Sequence, residues 1–205
     1  MYYNKEKIIL ASGSQRRQHF FKELGISFEI ATAAIHEFPM AGENPEQFVC
    51  RMSQEKAEAV AALYPDNWIV SGDTVVCLDN RILGKPADHA DAVRMLMELA
   101  GRKHWVRTGF CLCHKYRQVC VTEVVTSMVL FTDFSKEVAK AYVDTGEPMD
   151  KAGAYGIQGK GGILVREIIG SYSNIVGMPM AEVVSALYAH GIVAVSGRDD
   201  TTDTQ

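Results

Sequence analysis

The chain has 205 residues, 47% hydrophobic and 22% charged, a balance that suits one folded domain with a substantial core and excludes general disorder or a fibrous protein. Lys and Arg number 21 against 25 Asp and Glu, a net charge of -4, so no global positive field supplies non-specific nucleic-acid affinity, and any polyphosphate must meet a local cluster of cations. No apolar run approaches the roughly 20 residues that cross a bilayer, and the opening Met-Tyr-Tyr-Asn-Lys-Glu-Lys lacks a signal-peptide core; the expectation is a cytoplasmic protein with neither membrane nor nucleic acid as partner.

In chain order, Lys7 to Ala11 reads as a short buried strand entering a tight Ser12-Gly13-Ser14 turn. A helix follows with Phe20, Phe21 and Leu24 on one side, stopped by Gly25 as a left-handed cap. Ser27 to Ala31 reads as a second strand. Glu46 to Leu63 places Phe48, Val49, Met52, Ala59, Val60 and Leu63 at helical spacing, and Pro65 ends it. Trp68 to Leu78 is rich in β-formers, with Asp79-Asn80 as a hairpin turn before Arg81-Ile82-Leu83. Asp88 to Ala100 is an amphipathic helix with Val93, Leu96 and Met97 inward, followed by Gly101. Trp105 to Cys113 and Val119 to Phe131 read as strands joined by a polar turn at His114 to Gln118.

Lys136 to Val143 reads as a helix, Met149 to Gly162 as a glycine-rich loop, Ile163 to Ile169 as a strand, and Pro179 to His190 as a helix opened by its proline. Residues 1–195 form one expected domain, and 196–205 a polar, frayed end. Helices mix with strands and some strands are adjacent, which predicts an α/β or α+β sandwich with a mixed sheet. The five cysteines, Cys50, Cys77, Cys111, Cys113 and Cys120, lack the spacing of zinc sites and read as small apolar core residues. The six histidines, His19, His36, His89, His104, His114 and His190, show no paired ligand spacing and receive no catalytic role.

Four clusters carry chemistry. Ser12-Gly-Ser-Gln-Arg16-Arg17 lies at a strand-to-helix turn, where free N–H groups bind anions and two guanidinium groups suit phosphate oxygens. Taken alone, it is equally a surface cap with solvated arginines. In Ser71-Gly-Asp73-Thr74-Val-Val a carboxylate lies between a glycine and an apolar strand; partial burial favours a metal or catalytic role, while an ordinary turn Asp is the bland alternative. Leu83-Gly-Lys85-Pro could aim an ammonium at Asp73 or at a polyphosphate, and a solvated loop lysine fits as well. Glu37 and Lys56 are weaker candidates of the same kind. Glu147 to Gly162 holds five glycines among an acid pair, two lysines and Gln158, which reads as a chain wrapping closely around a ligand; a flexible connection is the bland alternative, which explains poorly the interleaved Tyr155 and Ile157.

Together these segments resemble the Maf family of septum-formation inhibitor proteins over about Ile8 to Leu187: Ser-Gly-Ser-x-Arg16-Arg17, Ser-Gly-Asp73-Thr-Val-Val, Leu-Gly-Lys85-Pro and Asp150-Lys-Ala-Gly-Ala-Tyr-Gly-Ile-Gln158-Gly occur in the family's order. The resemblance implies a nucleotide pyrophosphatase with the fold shared by Maf and inosine-triphosphatase-like proteins, an elongated mixed sheet flanked by helices, in two lobes around a cleft, commonly homodimeric. It implies the acidic general base at Asp73 and polar site residues at Ser12, Arg16, Glu37, Lys56 and Lys85. Tyr-Gly-Ile-Gln158-Gly looks like the branch acting on dTTP and UTP, in which the positions of Arg16, Thr74 and Gln158 are associated with substrate choice. The sister branch acts on 7-methyl-GTP.

The Gln158 amide offers a donor and an acceptor, complementary to the N3–H and carbonyl edge of uracil or thymine. Where the family usually has proline before the arginine pair this chain has Gln15, which bears on helix entry more than on chemistry. The expected mechanism has Mg²⁺ or Mn²⁺ held by Asp73 and Glu37 with several waters, Asp73 as base or metal ligand, and Arg16, Arg17, Lys56 and Lys85 on the phosphates. The rival readings are 7-methyl-GTP or CTP as substrate, or a nucleotide-binding regulator of cell division without turnover.

Overall fold

The computed structural model describes residues 1–196; the expected frayed end lies outside the described residues except for Ser196. The main sheet consists of β2 (Ile8–Leu10), β3 (Glu29–Ile30), β4 (Trp68–Leu78), β5 (Arg81–Leu83), β6 (Lys103–His114), β7 (Val119–Phe131) and β8 (Val165–Ile169). Their order is β3-β2-β4-β6-β7-β8, with β5 paired to β4. β2 runs parallel to β3 and β4, and the remaining pairs are antiparallel, so the sheet is mixed as expected. A separate ribbon pairs β1 (Tyr2–Asn4) with β9 (Val193–Val195). Neither short strand was anticipated, because three-residue strands carry no measurable periodicity.

Alternation along β4 organises the core. Trp68, Val70, Val76 and Leu78 point to one face, and Ile69, Val75 and Cys77 to the other. α2 (Pro45–Leu63) covers the second face, packing Phe48, Val49, Met52, Ala57 and Val60 against it. It starts with a capping box in which the Asn44 side chain and Gln47 satisfy each other's backbone N–H, and Pro45 occupies the first turn. On the first face the core is split. α1 (Gln15–Glu23) and α6 (Met180–Ala189) pack against Trp68 and Val70, while α3 (His89–Leu99) and α4 (Lys136–Val143) pack against Val76 and Leu78. The cleft lies between these two clusters.

Several expectations needed adjustment. α3 turns Met95, Leu96 and Leu99 inward, whereas Met97 is exposed; Met95 and Leu99 flank Leu96 at the spacing that a narrow stripe selects. Leu63 at the end of α2 is also exposed. The glycine-rich loop contains 3-10 turns at Glu147–Asp150, Ala152–Ala154 and Gly159–Leu164. The strand after it starts at Val165, with Ile163 exposed. A short α5 (Tyr172–Val176), capped by Ser171, was not anticipated. The helix entry at the site is intact without proline: α1 begins at Gln15. Asp79 and Asn80 both take positive φ, 51° and 63°, as a tight hairpin turn requires. Cys77, Cys111 and Cys113 are core residues, but Cys120 is exposed, because the first half of β7 lies at a sheet edge.

Candidate active site

β2 pairs with β4 only through Val70, and β5 begins pairing at Val76. Between them, among the described residues, that edge of β4 has no strand beside it, and Ser71 to Val75 border an opening. A cleft of about 640 Å³ forms there. Ser12, Arg16, Arg17, Glu37, Lys56, Asp73, Thr74, Lys85 and Gln158 all line it, so these nine candidates meet in one place, while Glu147 and Lys160 of the glycine-rich segment do not line it.

Asp73 and Thr74 are consecutive and point to opposite faces of β4. Asp73 faces α2, where Lys56 Nζ lies 2.7 Å from its Oδ1. The same ammonium lies 3.0 Å from Glu37 Oε1, so two carboxylates from separate segments converge on one cation. The position of α2 is set nearby: Ser71 Oγ donates to the Ser53 carbonyl, and Gly109, the direct β6 partner of Asp73, abuts the Val49 backbone so closely that no Cβ would fit.

Thr74 faces the opposite way into a hydrogen-bond chain. Arg17 donates from Nε to the Gly177 carbonyl at 2.7 Å, from one terminal nitrogen to Ser12 Oγ at 3.2 Å, and from the other to Thr74 Oγ1 at 3.1 Å. Thr108 Oγ1 donates to the Asn174 carbonyl at 3.1 Å, which leaves it to accept from Thr74 at 2.9 Å. Burial pushes the Arg17 guanidinium below its ordinary pKa, and the charge of Asp73 opposes that shift. All three arms of Arg17 are committed to the protein.

Arg16 differs. Among the described residues its one ion pair is to Asp150 at 3.7 Å, with both side chains solvent-exposed, a loose contact worth little. Lys85 is exposed and makes no ion pair or hydrogen bond to another described residue. Ser12 Oγ accepts from the Ser14 N–H and from Arg17, leaving its own proton to give away.

A model of the family described as Maf-like protein matches residues 7–190. The chain belongs to that family. Among relatives of this Maf-like chain is a dTTP/UTP pyrophosphatase of Desulfotalea psychrophila, 47% identical over 195 residues and spanning 95% of this chain and 100% of the relative. Another dTTP/UTP pyrophosphatase, from Syntrophus aciditrophicus, is 44% identical and spans 94% of each chain. The Ham1 protein of Staphylococcus aureus shares the fold at a TM-score of 0.53 and 14% identity, covering 90% of this chain and 100% of its own.

Sequence reasoning missed Thr108, Gly109, Asn174 and Gly177 around this site. Thr108 and Gly109 are small residues within a strand pattern and carry no local signal. Ser173-Asn-Ile-Val-Gly-Met-Pro179 was punctuated enough to suggest a built turn, and Gly177 takes φ 122° there. The reading of the glycine-rich loop also changes. A Cβ at Gly153 would strike Val76, at Gly159 the Glu147 carboxylate, and at Gly161 the Tyr142 hydroxyl. These glycines are needed for the chain to pack on itself, and only part of the loop faces the cleft.

Proposed function

We propose that this Maf-like protein hydrolyses dTTP and UTP to the nucleoside monophosphate and pyrophosphate. The observation that carries the reading is the Lys56 ammonium joining Asp73 and Glu37 on one wall of a cleft that also holds Ser12, Arg16, Lys85 and Gln158. Carboxylates and loosely held cations facing one cavity suit a reaction in which water attacks a phosphorus and an anionic group leaves.

Water adds to the α-phosphorus, the bond to the bridging oxygen breaks, and pyrophosphate departs. Asp73 orients the water and takes its proton; Lys56 fixes the direction of that carboxylate. Arg16 and Lys85, held by nothing strong, turn onto the phosphate oxygens, and the Ser12 hydroxyl donates to another. Arg17 and Thr74 shape the site through their mutual hydrogen bond, and the two guanidinium N–H groups that Arg17 has not spent on the protein are left for phosphate oxygens. The Gln158 amide, which makes no hydrogen bond to another described residue, reads the N3–H and carbonyl edge of the base.

Asp73 and Glu37 already share the Lys56 ammonium, and their remaining carboxylate oxygens are hard donors of the kind that suits Mg²⁺ or Mn²⁺ beside it. Among the described residues no group of three or more acidic, His or Cys side chains could hold a metal, so the remaining ligands would be waters and phosphate oxygens. Such a metal would supply charge stabilisation on the phosphates.

The test is pyrophosphate release from dTTP, UTP, CTP, 7-methyl-GTP and the purine triphosphates, with Mg²⁺, Mn²⁺ or chelator. Turnover of dTTP and UTP that disappears with chelator supports the reading. Preference for CTP or 7-methyl-GTP moves the protein to another substrate, and binding without turnover makes it a nucleotide-binding regulator. A homodimer in the cytoplasm is part of the same proposal, checked by sedimentation and fractionation; among the described residues no helix is long and apolar enough to cross a membrane.

A further inference from the structure

The segment that carries Gln158 is tied down by a carboxylate outside the cleft lining. Glu147 Oε1 accepts from the Tyr142 hydroxyl at 2.9 Å and from the Gly161 N–H at 3.1 Å, and its Oε2 accepts from the Lys160 N–H at 3.1 Å. The Tyr142 hydroxyl in turn accepts from the Gly156 N–H at 3.1 Å. Lys160 and Gly161 are thereby pinned to Glu147 directly and Gly156 through the Tyr142 hydroxyl, and Ile157-Gln158-Gly159 forms an arch between the two feet. The arch tolerates no added bulk. A Cβ at Gly159 would lie 2.9 Å from Glu147 Oε2, one at Gly161 2.5 Å from the Tyr142 oxygen, and one at Gly162 3.0 Å from the Ile157 carbonyl oxygen.

The charge state supports the same picture. Burial opposes ionisation of Glu147, but the Lys160 and Gly161 N–H groups and the Tyr142 hydroxyl together hold its pKa below the ordinary carboxylate value. A carboxylate accepts at every lone pair and donates at none, so it alone among side chains of this length can gather three donors from two segments.

We propose that Glu147, through Tyr142 and the Lys160-Gly161 backbone, is the positioning residue that sets base selectivity by fixing the arch that presents Gln158 to the cleft. This rests on the reading of Gln158 as the base contact. Selectivity built on hydrogen bonds depends on how firmly the partner is held, since a mobile amide can turn over or swing to suit a different edge. Glu147 touches neither substrate nor the reacting atoms, and it acts on choice of base rather than on phosphorus chemistry.

Steady-state kcat and KM for UTP, CTP, ATP and GTP are measured on the wild type, Glu147→Gln, Tyr142→Phe, Gln158→Ala and the Glu147→Gln/Gln158→Ala pair. The kcat/KM ratio between the wild type's best and worst nucleotide should fall about tenfold in Glu147→Gln and Tyr142→Phe, mainly through KM of the preferred nucleotide. In the double variant Glu147→Gln should add nothing to the loss caused by Gln158→Ala, as coupled residues behave. An equal fall in kcat for all four nucleotides, or full additivity in the double variant, overturns the proposal. Tyr142→Phe, which keeps the packed ring and releases one foot, decides the matter if Glu147→Gln does not fold. A wild type that prefers a purine removes the pyrimidine reading and leaves the test of Glu147 in force, because the ratio is defined by the wild type's own preference.

Discussion

Gly109 lies directly across the β4–β6 ladder from Asp73, and a methyl group at Gly109 would fall 2.6 Å from the carbonyl carbon of Val49 in α2. The missing side chain lets α2 lie flat on the sheet at the level of the carboxylate. Lys56, further along the same helix, then reaches Asp73.

Gly109→Ala should therefore lower stability and activity together. The obstacle is backbone, which cannot swing aside as a side chain can, and overpacking of this kind costs about 1–3 kcal/mol. Urea unfolding measures the first effect. Turnover of dTTP measures the second, and wild-type kcat in Gly109→Ala would show that the α2 spacing is not what places Lys56.

Asp73→Asn should reduce kcat by a factor of about 100 to 10,000, the usual value of a positioned base, while nucleotide binding stays measurable by calorimetry. Lys56→Met removes the cation shared by Asp73 and Glu37 and should lower kcat without abolishing binding. Preserved turnover in Asp73→Asn would remove it as the base.

Arg16 and Arg17 are neighbours in sequence with opposite predicted phenotypes. Arg16→Ala loses only a loose exposed pair to Asp150, so its thermal midpoint should stay near wild type while KM for the triphosphate rises. Arg17→Ala empties three hydrogen bonds joining α1, β4 and the turn after α5. Leaving buried acceptors unpaired there should cost about 2–4 kcal/mol in all. Thermal denaturation beside KM separates the two variants.

His104 gives stability a pH dependence. It is fully buried against Phe131, with Nε2 2.8 Å from the Tyr155 hydroxyl. Burial drives its pKa from 6.5 down to about 4. Between pH 6.5 and 4 the unfolded chain binds a proton that the folded chain does not, so stability is complete above about 6.5 and falls as pH drops toward 4. At about 1.4 kcal/mol per pKa unit the loss reaches roughly 3 kcal/mol. Chemical denaturation of the wild type and His104→Phe across this range should show a smaller slope in the variant.

Much of the fold was legible because long elements repeat a pattern. α2, α3, β4 and the β6–β7 pair each span enough residues for a period to stand out, and the Asp79-Asn80 turn announced itself by residue type. β1, β9 and α5 were too short to do so, and they are stabilised by partners far away in sequence. In the glycine-rich loop, composition revealed a close approach of chain to something. It could not reveal that Glu147 and Tyr142 were what the chain approached.

The sequence by itself determined the donor set of the cleft: which carboxylates, ammonium groups and guanidinium groups were present, and that Ser12, Arg16, Asp73, Lys85 and Gln158 sat at turns or strand positions able to face a ligand. It also suggested a division of labour among them, but only the tertiary structure showed which neighbours each side chain meets. Lys56 went to the carboxylates, Arg17 to the frame, and Arg16 to the open cleft. A side chain's chemistry is a property of the residue, but its free valences depend on which neighbours reach it first, and strand pairing and helix packing decide that across separations of tens of residues.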